Sequence, residues 1–140
     1  MTTNDTASRA PGTAAGASTD RLFSILVGLT TLAVFLQTVW AGMMIREGKD
    51  YDASWVSVHD WGARVAFVLA LAAVVVALLR LRSRRDLLVG AVALAVLIFA
   101  ESYVGGLVGD KPGIVALHIP LGTAILSLAV WLPFRSTRTR

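Results

Sequence analysis

The sequence contains no cysteine. That excludes disulfides, thiolate metal sites, thiol nucleophiles and covalent c-type haem attachment. Histidine is nearly as scarce, with two in 140 residues, and only 16% of the chain is charged. Excluding thiol chemistry leaves His59 and His118 as the first candidates for any reaction or ligation. A net charge of +4 and a pI near 10.3 would suit nucleic acid. Here the positive residues cluster at the ends of apolar segments, as the inside-positive bias of membrane proteins requires, so nucleic acid is not an expected partner.

What the chain does have is apolar surface: 56% hydrophobic residues and a mean hydropathy of +0.70. That is too apolar for a soluble domain of this size and indicates the membrane class. Residues 1–20 (MTTNDTASRAPGTAAGASTD) carry hardly a large apolar side chain. They read as a disordered cytoplasmic tail, because they bury too little surface to offset the entropy of ordering. A cleaved signal is not expected, since twenty residues with hardly a large apolar side chain precede the first apolar run.

Four apolar runs follow, at about 22–45, 58–81, 87–108 and 113–134. The first reaches roughly 36 Å as a helix, enough to cross a hydrocarbon core of about 30 Å with tilt. Thr19 or Asp20 is positioned to cap it. The connections are REGKDYDASW, RLRSRRD and GDKPG, and a basic cytoplasmic tail closes the chain at 136–140. Short second and third connections favour antiparallel neighbours. The expected fold is an all-α membrane protein, an up-and-down bundle of four transmembrane helices spanning 21–135. Lys and Arg number nine in the two tails and the second connection, against three in the first and third connections. This places both termini in the cytoplasm of a multi-pass cell-membrane protein, in contact with the lipid bilayer.

The same count gives each span a direction, and so a depth for each polar residue. His59, Arg64, Glu101, His118 and Gln37 all fall in the outer half, whereas the inner half holds almost no ionisable side chain. A charge at the bilayer centre costs at least about 2.5–3.5 kcal/mol, so such residues face the bundle interior and find partners. His59 shares a helical face with Ala63, Ala66, Ala70, Ala73 and Ala77. His118 shares one with Gly122, Ile125 and Ala129, and Glu101 with Gly105. Pro120 is expected to kink the fourth helix beside His118. Helices two and four are diagonal in such a bundle, roughly 11–14 Å apart. Two imidazoles reaching inward across that distance leave room for one metal, the arrangement of a bis-histidine haem iron. Zinc fits less well, because a structural site takes four ligands.

Other readings of these residues stand beside that one. A histidine near a helix end also serves as an interfacial residue or a helix–helix hydrogen-bond partner. Glu101 and Arg64 read first as a buried ion pair between spans two and three, then as proton-transfer groups or a haem-propionate contact. Gln37 reads as a helix–helix hydrogen bond, Met43 and Met44 as core or interfacial residues, and Trp40, Trp55, Trp61 and Trp131 as interface anchors.

QTVWAGMMIREG at 37–48, HDWGAR at 59–64, ESYVGG at 101–106 and ALHIPLG at 116–122 together resemble one four-helix half of the haem A synthases. The chain is also similar to small four-helix bacterial membrane proteins with a histidine in the second and fourth helices, from which no activity carries over. The haem A synthase resemblance implies a haem-binding scaffold, with a histidine on the second and fourth helices at the outer side. Three departures count against the synthase reaction itself. Val56 stands where the family carries a catalytic glutamate, Glu101 stands where its third-helix motif starts with glutamine, and only one half is present, so a complete enzyme would need a homodimer.

The leading expectation is a haem b site with His59 and His118 as axial ligands and Arg64 near the propionates, with Glu101 beside it. Such a site would serve electron transfer, with a membrane redox partner, or haem handling. The alternative is a haem-free accessory or assembly subunit in which the same polar layer holds the helices together. A proton-coupled transporter using Glu101 and Arg64 is disfavoured by the absence of a polar path through the inner half.

Overall fold

The computed structural model describes residues 14–44 and 52–137, with side chains described over 21–44 and 52–136. Four α-helices account for nearly all of it: α1 Ala14–Met44, α2 Ala53–Arg80, α3 Arg85–Gly106 and α4 Val115–Thr137. A single 3-10 turn, Pro112–Ile114, leads into α4. Each of the four carries a stretch long and apolar enough to cross a membrane, the longest being the 28 residues of α2, or roughly 42 Å. The principal contacts run α1–α2, α2–α3, α3–α4 and α1–α4. That cycle is an up-and-down four-helix bundle with α2 and α4 on a diagonal.

Helix ends differ from expectation where polar residues extend a helix already nucleated. α1 starts at Ala14, so the stretch read as a tail to residue 20 is helical over its last seven residues, and neither Thr19 nor Asp20 is a cap. Adding a turn to an existing helix needs no new nucleus, and alanine-rich sequence is well suited to it. The remainder of that tail, 1–13, lies outside the described residues, as do 45–51 in the first connection and 138–140 at the end. α2 starts five residues before residue 58, because Asp52 caps it: its Oδ1 accepts from Ser54 N at 2.9 Å. α4 continues past residue 134 to Thr137, and Ser136, placed in the basic tail by sequence, is buried at 3% exposure. Its hydroxyl meets Ser24 of α1 at 2.8 Å.

Small residues build the packing. The buried positions of α2 are Gly62, Ala66, Ala70, Ala73 and Ala77, the expected alanine face with Gly62 at its head. Small side chains let helix backbones approach closely, the main source of packing energy where the solvent is itself apolar. Phe23, Leu87, Leu94, Ile125 and Leu132 fill the gaps between them. Facing outward are Val68, Leu79, Val89, Phe99 and other large apolar side chains. That surface suits hydrocarbon and is far more apolar than water tolerates on a monomer.

The two ends of the bundle are unlike. At the end that carries the α2–α3 link, the start of α1 and the end of α4, Asp86 in the first turn of α3 joins two arginines. Arg84 Nε reaches Asp86 Oδ1 at 3.2 Å, and Arg135 Nε, from α4, reaches Oδ2 at 3.1 Å. Arg84 also donates to the Arg135 carbonyl. Midway along, Thr31 Oγ1 ties α1 to α4, within 2.9 Å of the Ala129 carbonyl and 2.8 Å of the Val27 carbonyl. The opposite end holds both histidines.

Candidate functional site

Every helix contributes to the histidine end: Gln37 from α1, His59 and Gly62 from α2, Glu101 and Gly105 from α3, and His118 and Gly122 from α4. Two glycines let these side chains meet. A Cβ at Gly62 would collide with the Trp40 ring and the Gln37 amide, so Trp40 and Gln37 can lie against α2 only because residue 62 is glycine. A Cβ at Gly105 would stand 2.9 Å from His118 Cε1, which makes α3 the wall on which the His118 ring rests. Trp40 is therefore a packing residue of the layer as well as an aromatic near the helix end.

The two imidazoles face each other across the diagonal, ring centroids 6.4 Å apart and planes inclined at 68°. Both rings are half-buried. Their second nitrogens meet different chemistry. His118 Nδ1 lies 2.9 Å from Glu101 Oε1, at ion-pair distance but off the line of a hydrogen bond. Glu101 Oε2 is buried with no hydrogen-bond partner among the described residues. A carboxylate behind an imidazole is the arrangement that fixes a ligating histidine and raises its basicity.

His59 has an amide in that place. The Gln37 side chain meets two main-chain groups as well as the ring: its nitrogen lies 2.9 Å from the His59 carbonyl and its oxygen 3.1 Å from Ala63 N. A main-chain carbonyl accepts only and a main-chain N–H donates only, so these two contacts assign the amide orientation. With that orientation the Gln37 nitrogen donates to His59 Nδ1 at 3.0 Å. Nδ1 is then an acceptor, and the hydrogen of the neutral ring sits on Nε2.

Arg64 stands apart from this cluster. It pairs with Asp60 one turn earlier at 2.7 Å, and its guanidinium lies over the Trp61 ring at 5.0 Å, both on the exposed face of α2. The expected ion pair with Glu101 is thus not formed. Positions 60 and 64 are a helical turn apart, and that local partner costs less side-chain ordering than one across the bundle. Among the described residues no three His, Asp or Glu side chains converge as a polydentate metal site would need.

Neither family models, curated proteins nor solved structures supply a match to the chain. What the histidine end can do therefore follows from its own donors. Two imidazole rings lie within contact distance of each other, the Nδ1 of one beside a carboxylate and the Nδ1 of the other beside an amide. A metal–imidazole axis with bonds of about 2 Å, and about 1 Å from each nitrogen to its ring centre, needs roughly 6 Å between centroids. The observed 6.4 Å meets that requirement. Two donors from the protein suit a metal whose other ligands come from a macrocycle, and fall short of a structural zinc site.

Proposed function

We propose that this protein binds haem b through His59 and His118, for electron transfer or haem handling at one side of a membrane. The observation that carries the reading is the 6.4 Å separation of the two rings across the α2–α4 diagonal. Two further features support it. Glu101 Oε1 lies 2.9 Å from His118 Nδ1, where its charge would favour hydrogen on that nitrogen and leave Nε2 for iron. One turn below each histidine the residue on its helix is small, Ala63 on α2 and Gly122 on α4, which suits a flat ligand. When bound, haem supplies one-electron chemistry, and the protein's part is to hold, orient and shield it. The propionates find no support from Arg64, which is engaged with Asp60 on the exposed face. The arginine count along the chain supports an orientation with the histidine end outside and both termini cytoplasmic in the cell membrane. Electrons would pass to a membrane redox partner or to a second copy of the chain.

The test is an absorption spectrum of protein purified in detergent after expression with ample haem. A Soret band in the wild type that is lost in His118→Ala is the expected result. No band in the wild type, or an unchanged band in His118→Ala, rejects the reading.

One observation favours a second function. Gln37 satisfies His59 Nδ1, the His59 carbonyl and Ala63 N together, with no metal involved. The layer would then be a polar clasp in a haem-free accessory or assembly subunit. This version predicts that His59→Ala and Glu101→Ala lower stability or partner capture while no chromophore is ever seen.

A further inference from the structure

The two histidines are held by unlike partners, and the difference bears on how firmly each would hold iron rather than on electron transfer. Resting on the haem reading above, we infer that His118 is the permanent ligand and His59 a displaceable one. The His59 side of the site thereby opens to a small neutral ligand of the carbon monoxide or imidazole class.

The inference follows from where each ring carries its hydrogen. Glu101 Oε1, 2.9 Å from His118 Nδ1, favours hydrogen on that atom by its charge, which leaves the Nε2 lone pair free for iron. Gln37 does the reverse to His59. Its amide donates to Nδ1 and so keeps the hydrogen on Nε2, the nitrogen needed for ligation. To ligate, His59 must pass that hydrogen from Nε2 to Nδ1. The Gln37 amide must then turn over so that its oxygen accepts from Nδ1–H. Turning over sets that oxygen against the His59 carbonyl, 2.9 Å away, and the amide nitrogen against Ala63 N, 3.1 Å away. Main-chain groups cannot change from acceptor to donor, so the mismatch stays for as long as His59 is a ligand. When His59 leaves, the amide returns and all three contacts are restored. No comparable opposition acts on His118, whose carboxylate neighbour accepts in any orientation.

Carbon monoxide and the dithionite-reduced, haem-loaded full chain in detergent micelles test this. The wild type should bind carbon monoxide with a shifted Soret band, His59→Ala should keep its haem and bind it too, and His118→Ala should lose haem. Gln37→Leu removes the opposition to ligation, so its carbon monoxide affinity should fall roughly 5- to 30-fold, the effect of one or two kcal/mol. A second measurement needs no variant: nitrogen-15 spectra of histidine-labelled, haem-free protein should show His59 with hydrogen on Nε2. A Soret band without carbon monoxide binding, an unchanged affinity in Gln37→Leu, or hydrogen on Nδ1 overturns the inference and leaves the haem reading standing. Absence of any Soret band overturns the haem reading, and the inference with it.

Discussion

The Gln37 amide nitrogen donates to His59 Nδ1 at 3.0 Å and to the His59 carbonyl at 2.9 Å, so one side chain of α1 grips both the ring and the backbone of α2. Hydrogen bonds between helices in a membrane average about 0.6 kcal/mol and reach about 1.7 kcal/mol. Gln37 has three contacts on α2 and belongs at the upper end. Gln37→Leu should therefore lower the unfolding free energy by about 1–2 kcal/mol, measured by reversible denaturant unfolding in mixed micelles. A loss no larger than that of Thr38→Val, whose hydroxyl bonds only within its own helix, would show that the grip contributes little.

Gly62 makes this grip possible, and its replacement should be costly in a way that sequence position alone does not reveal. A methyl group there meets both the Trp40 ring and the Gln37 amide, and the bulky indole has to move. Gly62→Ala is expected to destabilise the bundle by about 1–3 kcal/mol, the usual range for overpacking. Gly42→Ala is the matched control, because a Cβ at Gly42 meets nothing within 4 Å. Equal melting temperatures for the two variants would refute this account.

Much of this layer was legible in the sequence, for a physical reason: depth and helical phase depend only on span direction and a 3.6-residue period. Those two rules sufficed for the alanine face of α2, for Ile125 and Ala129 beneath His118, and for the gathering of Gln37, His59, Glu101 and His118 at one end. They could not pair the charges. Asp60 and Arg64 stood a turn apart in HDWGAR, yet depth alone made Glu101 the partner of choice for Arg64. Close approach was also invisible, since whether Gly62 faces an indole or open lipid depends on crossing geometry. Thr31 and the Ser24–Ser136 contact were missed because single hydroxyls in apolar runs mostly bond back to their own helix.

Arg64 supplies a sharp contrast with Glu101. Its pair with Asp60 is exposed, at 62% and 57%, and such i,i+4 pairs are worth only about 0.3–0.5 kcal/mol. Arg64→Gln should leave both stability and any Soret band nearly unchanged. Glu101→Leu should do neither, because it strips the carboxylate from behind His118. A strong spectral change in Arg64→Gln would return that residue to the site.

Asp86 is the hub of the opposite end, an acid that meets both Arg84 of the α2–α3 link and Arg135 of α4. It also sits in the first turn of α3, where negative charge is favoured by the helix dipole. The carboxylate is 31% exposed, so salt weakens the pairs without abolishing them. Asp86→Asn keeps the shape and removes the charge. It removes the negative charge that Arg84 and Arg135 share, and so the attraction to both and the offset to their mutual repulsion. The variant should be less stable than wild type in low-salt micelles, and the gap should narrow as salt rises, since screening weakens both the lost attraction and the new repulsion. Gln37→Leu, whose lost contacts involve no formal charge, should show no such narrowing. A salt-independent deficit in Asp86→Asn would mean that the residue acts through hydrogen-bond geometry alone, and the electrostatic account of this end would have to be abandoned.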